Sequence, residues 1–341
     1  MRDIFENKII LITGGCGSIG SELVRQLLQY NPKTIRILDN RETELFYMEH
    51  ELSEHKNLRF FLGDIRDKER LSRAIKGVDI IFHTAALKHV SSCEFNPFEA
   101  VKTNVYGTNN VIENAVFHNV DKFINISTDK VTNTISTMGS TKLLAERLVA
   151  SAQYWKGDKK TKLASVRFGN VLGSRGSVID LFKNQIIDKG VITITDPDMT
   201  RFIMSIRQAV KLVLETVKEM EGGEIFILKM PVFRLEDLIS IIKEHFMIKY
   251  NLKEIKEKVI GTRPGERKHE DLMTEQEAKK ALETPDKFII LPQITNSYFD
   301  ETIRNYKNSF KTEREKFSSK DITPLSKQEL KNLILREGIL D

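Results

Sequence analysis

The sequence predicts an α/β protein, a doubly wound parallel sheet followed by a smaller, discontinuous second domain. Three observations carry this. Near the start an apolar run passes straight into a glycine-rich turn and an amphipathic helix; short β-branched runs then alternate with helical periods as far as Phe168; beyond Val171 that regularity is lost. Strands separated by helices imply parallel pairing with right-handed crossovers. With 341 residues the chain can bury a large core and divide into about two domains. The first is expected over residues 1–171 plus about 201–228, the second over 172–200 and 229–290, with a C-terminal extension over 291–341.

In the opening unit, Ile9, Ile10, Leu11 and Ile12 suit a strand buried on both faces. Ile19, Leu23, Val24, Leu27 and Leu28 then recur at helical spacing until Asn31-Pro32 stops the helix. Between them Gly15, Gly17 and Gly20 fit G-x-G-x-x-G, and Thr13, Gly14, Gly17 and Gly20 fit T-G-x-x-G-x-x-G. A tight turn, backbone approach to a pyrophosphate, and free N–H groups at the helix N-terminus all call for small residues here. In this strand–turn–helix setting the motif reads as a Rossmann-like dinucleotide site formed by Thr13, Gly14, Gly15, Gly17, Ser18, Ile19 and Gly20. A glycine-rich turn that binds nothing is the plainer alternative.

Composition narrows the class. Forty per cent hydrophobic and thirty per cent charged residues are ordinary for a soluble globular protein, and 53 basic against 48 acidic side chains leave +5. Late cations such as Lys307, Lys311, Arg314, Lys316, Lys320, Lys327 and Lys331 are interleaved with acids, which favours a solvated surface over a nucleic-acid site. No signal peptide and no membrane-spanning run is seen, so a cytoplasmic protein with no nucleic-acid or membrane partner is expected. Cys16 and Cys93 suggest neither a disulfide framework nor a metal site.

Thr34 to Leu38 reads as the second strand and ends at Asp39, 19 residues past Gly20. An acid there accepts hydrogen bonds from the adenosine ribose and opposes a 2′-phosphate, favouring NAD over NADP; Arg41, two residues on, could instead hold that phosphate. Asn40 shares this edge. A helix is expected from Glu42 to His55, a strand from Leu58 to Leu62, and after it Asp64 and Ile65 at the adenine edge, although Asp64 also suits a cap for the helix from Lys68 to Lys76. Strand four, Asp79 to His83, runs into Thr84-Ala85-Ala86-Leu87-Lys88, where small residues let backbone pack against a cofactor. Helix four is expected over Pro97 to His118 with Asn104 inside it; spacing alone assigns that Asn no role.

Strand five, Lys122 to Ser127, delivers Ser127-Thr128-Asp129-Lys130 to the carboxyl edge of the sheet, where ligands of doubly wound sheets bind. The next helix begins near Thr137, with Met138 and Lys142 on one face. Strand six, Lys162 to Phe168, ends in Gly169-Asn170. Later come a basic loop at Gly173-Ser174-Arg175-Gly176-Ser177, helices from Ile179 to Lys189, Ile206 to Met220 and Leu235 to Phe246, a turn at 196–201, a strand from Glu224 to Leu228 and a loop at 261–266. Arg175, Arg201 and Arg263, on three separate loops, suit a diphosphate-bearing substrate, although surface arginines are common.

With Ser127-Thr128-Asp129-Lys130 and Met138-Gly139-Ser140-Thr141-Lys142 in view, the sequence resembles the extended short-chain dehydrogenases/reductases. Within them it is similar to the bacterial UDP-N-acetylglucosamine 4,6-dehydratases of capsule, flagellin and glycan sugar synthesis. Further matches are Ala86-Leu87-Lys88-His89-Val90, Ser92-Cys93-Glu94, Ala100-Val101-Lys102-Thr103-Asn104, Phe168-Gly169-Asn170-Val171, the stretch from Ile194 to Phe202 and that from Gly261 to Glu266. They fall in order between about residues 8 and 270; the segment beyond about Thr295 matches less clearly.

The resemblance implies oxidation at C4 of the sugar by NAD, removal of the acidified C5 proton, loss of the C6 hydroxyl and return of hydride to C6. It implies Lys130 as the base at C5, Asp129 as the acid at C6, Thr128 on the C4 hydroxyl and Lys142 on the nicotinamide ribose, with Asn104 and Lys88 on the cofactor side. Opposite charges on adjacent residues favour each other's ionised form. Lys88, Asn170, Arg175, Ser177, Thr200, Arg201, Arg263 and Glu266 are implied for the UDP-sugar, in a homo-oligomer, dimer or larger. One departure stands out: most short-chain dehydrogenases have Tyr-x-x-x-Lys, and here Met138 replaces the tyrosine. A thioether cannot carry a proton. Part of the dehydratase family shares this methionine; an ordered water held by Thr128 and Lys142 is the expected C4 base. A nucleotide-sugar 4-epimerase or 5,6-dehydratase, and an inactive cofactor-binding regulator, are the alternatives.

Overall fold

A computed structural model describes residues 1–263, 265–292, 306 and 308–340. Pro264 of the 261–266 loop, Thr295 and Lys307 lie outside them. The strands are β1 (Ile9–Thr13), β2 (Thr34–Asp39), β3 (Leu58–Leu62), β4 (Ile80–His83), β5 (Lys122–Ile126), β6 (Lys162–Arg167), β7 (Asn170–Leu172), β8 (Val191–Ile194) and β9 (Thr200–Ser205). They continue with β10 (Ile225–Leu228), β11 (Val232–Arg234), β12 (Lys256–Val259), β13 (Asp271–Met273), β14 (Ala281–Glu283), β15 (Lys287–Ile290), β16 (Phe310–Lys311) and β17 (Phe317–Ser318).

A ten-stranded sheet runs in the order β16-β14-β15-β10-β6-β5-β4-β1-β2-β3. From β10 to β3 all pairings are parallel. Side chains alternate across it: Ile10 and Ile12 enter the core on one face, Leu11 that on the other. Helices cover both faces, including Ser18–Leu28, Lys68–Ile75, Thr108–Phe117 and Ile206–Glu219. The strand order reverses between β1 and β4, the place where such sheets open a crevice at their carboxyl ends.

A second lobe has its own core. Ile179, Phe182 and Ile186 of the helix Val178–Lys189, Ile192 and Ile194 of β8, and Ile242 and Phe246 of the helix Leu235–Lys249 pack with Leu330 and Ile334 of the terminal helix Lys327–Arg336. Two small sheets, β11-β9-β7 and β12-β8, frame it.

Several elements differ from expectation. Residues 281–290, expected in the second domain, extend the main sheet as antiparallel β14 and β15, because Phe288 and Ile289 continue its apolar core. Thr200 and Arg201 lie on β9 rather than in a turn, paired with Arg234 and Phe233 of β11. The helix from Glu42 stops at Glu51. The expected helix from Pro97 to His118 is in three pieces, Pro97–Val101, a π-helical turn Lys102–Gly107 and Thr108–Phe117. Within that wide turn Asn104 has no exposed surface: its amide takes the Leu87 N–H at 2.8 Å and donates to the Leu87 carbonyl at 2.9 Å and to Thr141 at 3.0 Å. Tertiary hydrogen bonds, invisible to helical periodicity, reward the extra residue in the turn.

Candidate active site

One cleft of about 1160 Å³ runs along the carboxyl edge of the sheet and into the second lobe. At its nucleotide end Gly14 has φ +66, and a Cβ there would lie 2.7 Å from the Ala85 Cα, so turn and post-β4 segment touch backbone to backbone. A Cβ on Gly20 would lie 2.4 Å from the Gly14 carbonyl oxygen. Gly14, Gly17, Ser18 and Ile19 line the cleft with Ala85 and Ala86, while Gly15 and Gly20 are spent on packing. Thr13 is a correction: its hydroxyl bonds the His83 ring at 2.8 Å in the buried interior rather than facing a ligand. The other ring nitrogen of His83 meets Thr108 at 3.0 Å. Burial, aided by the Lys142 charge, drives His83 down to about 3 and keeps it neutral.

Asp39 ends β2 as a buried carboxylate. It accepts the Cys16 N–H at 3.0 Å and two guanidinium bonds from Arg41 at 3.0 and 3.1 Å. Arg41 therefore sits on Asp39, and the carboxylate also holds the glycine-rich turn. Asn40 donates to Asp64 at 3.4 Å, and Asp64 is gripped by Arg66. Burial pushes Asp64 up, but the Arg66 hydrogen bonds and charge outweigh it and hold the carboxyl below its ordinary value. The helix that follows is capped by Asp67, not Asp64. Asp39, Asn40, Arg41, Asp64 and Ile65 all line the cleft. The residues fit a dinucleotide: a backbone cradle at Gly14, an acid at the end of β2, and a buried Ser127 hydroxyl in the cleft wall with no partner among the described residues.

The reacting end is built on the turn after β5. Thr128 donates to Asp129 at 2.6 Å, and the Lys130 ammonium reaches both Asp129 oxygens at 3.0 and 3.2 Å. A third ionisable group, Glu270, closes the cluster at 3.2 Å from Lys130. It is 8% exposed and bonds through its backbone N–H to Ser319 at 2.9 Å. Arg201 lies 3.2 Å away from the same Glu270 oxygen that Lys130 reaches, and Asn170 is 3.5 Å from the other. Burial alone would raise Asp129, but the Lys130 charge and hydrogen bonds outweigh it and hold the carboxyl well below the usual range. Burial and the Asp129 charge push Glu270 up to about 7. Burial disfavours the Lys130 ammonium, but the two carboxyls more than compensate and hold it above the ordinary lysine value. At rest Lys130 is charged and Asp129 ionised, and Glu270 is the carboxyl of the pair that exchanges a proton near neutral pH.

Met138 and Lys142 share the cleft-facing side of the helix Thr137–Trp155, whose cap Ser136 bonds the Gly139 N–H at 3.1 Å. Met138 packs with Cys93, Ala100 and Val90. The Lys142 ammonium donates to the Ile126 carbonyl at 2.5 Å, and burial brings it down to about 8, with Glu146 opposing. Beneath this helix the fully buried Arg167 of β6 binds Glu146 and Glu277 at 2.7 and 2.9 Å, tying helix, sheet and C-terminal segment together.

The three arginines line the one cleft, each held by different partners. Arg175 reaches the Cys16 carbonyl and its N–H meets Ser18 at 3.0 Å, so this loop folds over the glycine-rich turn; Lys88 holds it through the Arg175 carbonyl at 2.7 Å. Arg201 spends its donors on Glu270 and on the carbonyls of Thr200, Lys268 and Arg267. Arg263 and Glu266 line the cleft's far end, joined by the Arg263 N–H to Glu266 at 3.1 Å. Asn170 and Ser177 line it also, Ser177 as a helix cap. Thr200 and Asn104 are corrections: neither faces the cleft, Thr200 being bound to His269 at 2.7 Å and Ser319 at 2.8 Å. Glu270 carries no sequence signal; it stands in Arg267-Lys268-His269-Glu270-Asp271, a run that reads as solvated surface.

With this geometry in place, comparison with known proteins is decisive at family level. A family model described as polysaccharide biosynthesis protein matches residues 10–292. The chain belongs to that family. Curated relatives in it include a Methanocaldococcus jannaschii protein named only as an uncharacterized membrane protein, 52% identical over 98% of this chain and 97% of its own. A Campylobacter jejuni UDP-N-acetylglucosamine 4,6-dehydratase (inverting) is 40% identical over 85% of each chain, and a Rickettsia conorii UDP-glucose 4-epimerase is 40% identical over 84% of each. The X-ray structure of Pen from Bacillus thuringiensis superposes with TM-score 0.92 at 43% identity, covering 99% of each chain. The family's Rossmann-like sheet is therefore the fold of this chain, and among the described residues no helix is long and apolar enough to cross a membrane.

Proposed function

We propose that this chain is an NAD-dependent UDP-N-acetylglucosamine 4,6-dehydratase, yielding a UDP-4-keto-6-deoxy sugar. The observation that carries it is the Asp129–Lys130–Glu270 cluster at the end of β5, with Met138 standing where an alcohol dehydrogenase would present tyrosine. Epimerisation at C4 needs neither a base at C5 nor an acid at C6. This cluster supplies three proton-handling groups in one cleft. The relative named as a dehydratase supports the reading, and the one named as an epimerase supports the rival.

A nicotinamide, when bound, supplies the hydride acceptor at C4 and the donor at C6. Gly14, Gly17, Ser18 and the Arg175 loop would hold its pyrophosphate, and Asp39 its adenosine ribose, the buried charge opposing a 2′-phosphate. Arg263 and Glu266 would take the uridine diphosphate. Thr128, whose hydroxyl hydrogen is given to Asp129 and whose oxygen accepts the Lys130 N–H at 3.4 Å, keeps one lone pair for a C4 hydroxyl or for a water shared with Lys142. With Lys142 brought down to about 8, an amine or ammonium there is available near neutrality to relay the C4 proton. Lys130 works at C5 and the carboxyl pair at C6.

Incubation with UDP-N-acetylglucosamine followed by mass analysis tests this. Loss of water is expected, and unchanged mass would favour the epimerase. NMR of the product separates a 4-ketone from an exocyclic alkene.

A further inference from the structure

Lys130 presents a difficulty that the geometry resolves. An ammonium bonded to one carboxylate and touching another cannot take a proton from carbon until it has lost one of its own. Two acceptors are within reach, Asp129 at 3.0 Å and Glu270 at 3.2 Å. Asp129 is committed: it has almost no exposed surface, and besides Lys130 it accepts the Thr128 hydroxyl at 2.6 Å. Glu270 stands differently. It enters from the segment before β13, 140 residues along the chain from Lys130, and lines the cleft across from the β5 turn.

We propose that Glu270 is the proton relay of the site: it accepts the proton of the Lys130 ammonium and passes it to the C6 hydroxyl as that group leaves. This rests on the dehydratase reading above. Transfer across the 3.2 Å contact leaves Lys130 as an amine and Glu270 as a carboxylic acid. The amine nitrogen then takes the C5 proton, the C5–H electron pair becomes the C5=C6 bond, the C6–O bond breaks, and the Glu270 proton joins the departing hydroxide as water. Lys130 is again an ammonium and Glu270 a carboxylate. When hydride reaches C6, Lys130 returns its proton to C5 and is left as an amine; the proton released at C4 restores the starting count. Atoms and charges balance, and one contact makes the base and the acid together.

The surroundings suit that task. Asp129 and Lys130 face Glu270 from the β5 turn, Arg201 from β9 at 3.2 Å, and Asn170 from β7 at 3.5 Å, while neighbouring His269 turns away to Thr200. Burial and the Asp129 charge bring Glu270 up to about 7, so of the two carboxyls it is the one whose ionised form can take up the Lys130 proton, and a group with affinity near working pH both accepts and releases one readily. Arg201 and the Ser319 hydroxyl, bonded to the Glu270 N–H, fix its position. Arg201 is thereby a positioning residue.

The test is Glu270→Gln, which keeps size and hydrogen bonding but carries no proton, with Glu270→Asp beside it. On mixing the NAD-loaded protein with UDP-N-acetylglucosamine, the Gln variant is expected to oxidise C4, seen as reduced-cofactor absorbance that accumulates, while water loss falls by about 10²–10⁴-fold and exchange of C5–H with deuterium oxide slows with it. The Asp variant should recover part of the water loss. Infrared spectra of the protein without sugar should show a protonated carboxyl that titrates near neutral pH in the wild type and vanishes in the Gln variant. Undiminished water loss by Glu270→Gln, or equal loss of C4 oxidation and water elimination, overturns the relay. A wild-type protein that converts UDP-N-acetylglucosamine without loss of water overturns the dehydratase reading instead, and the infrared titration judges Glu270 independently of that outcome.

Discussion

The glycine-rich turn and the Lys130–Glu270 cluster share one cleft but are assembled in opposite ways. At the turn, backbone meets backbone: Gly14, with φ +66, sits against Ala85, and Asp39 accepts the Cys16 N–H across 23 residues. At the cluster, side chains from the turn after β5, from β7, β9 and the segment before β13 meet through charge, and Lys130 and Glu270 are 140 residues apart. The first is rigid because it leaves no room. The second is held by ionisable groups whose protons can move, which is what binding and reaction respectively require.

Altering either region should separate the two roles. The largest effect is expected at Lys130: Lys130→Ala should lower 4-keto-6-deoxy product formation by about 10²–10⁴-fold while NAD affinity, measured by fluorescence titration, stays at the wild-type value. Lys142→Ala should abolish C4 oxidation, whereas Met138→Ala should retain most of it; equal losses would remove the water shared by Thr128 and Lys142. Arg167→Ala leaves Glu146 and Glu277 buried without their cation and should cost about 3–5 kcal/mol in denaturant unfolding. Gly14→Ala forces a Cβ to 2.7 Å from the Ala85 Cα at a left-handed φ and should cost about 1–3 kcal/mol, with weakened NAD binding the diagnostic sign.

The smallest expected effect is in the pH dependence of stability. Glu270 rests at about 7 against an ordinary 4.5, so between those values the folded chain keeps a proton that the unfolded chain has released. Its contribution is whole below 4.5 and is lost as pH climbs through 7. The stability of the wild type relative to Glu270→Gln should therefore fall across that window, read from thermal midpoints. Lys142, brought down to about 8 from 10.5, acts in the other sense: stability from this group rises between pH 8 and 10.5, where the unfolded chain holds the extra proton.

The same contrast explains how far the sequence could be read. The turn was legible because its determinants are local: Ile9 to Ile12, the glycines and the helix to Leu28 lie side by side, and only the inward turn of Thr13 toward His83 needed the fold. Asp129, Lys130 and Lys142, which the family motifs single out, lie together in the cleft lining. Glu270 was not legible, since nothing in Arg267-Lys268-His269-Glu270-Asp271 says that β13 brings this acid beneath Arg201. The arginines differ for the same reason: Arg175, Arg201 and Arg263 all line the cleft, yet carbonyls and carboxylates far along the chain decide that Arg175 also closes the nucleotide turn and Arg201 also steadies Glu270. Asn104 and Thr200 have the polarity of ligand-binding residues, but tertiary hydrogen bonds consume it.

The most direct test of the account follows a deuterium placed at C4 of UDP-N-acetylglucosamine. If this cleft oxidises C4, expels the C6 hydroxyl through Lys130 and its two carboxyls, and reduces C6 in turn, the label will appear at C6 of a 6-deoxy-4-keto product. A label returned to C4 of a sugar that still carries its C6 hydroxyl would contradict it.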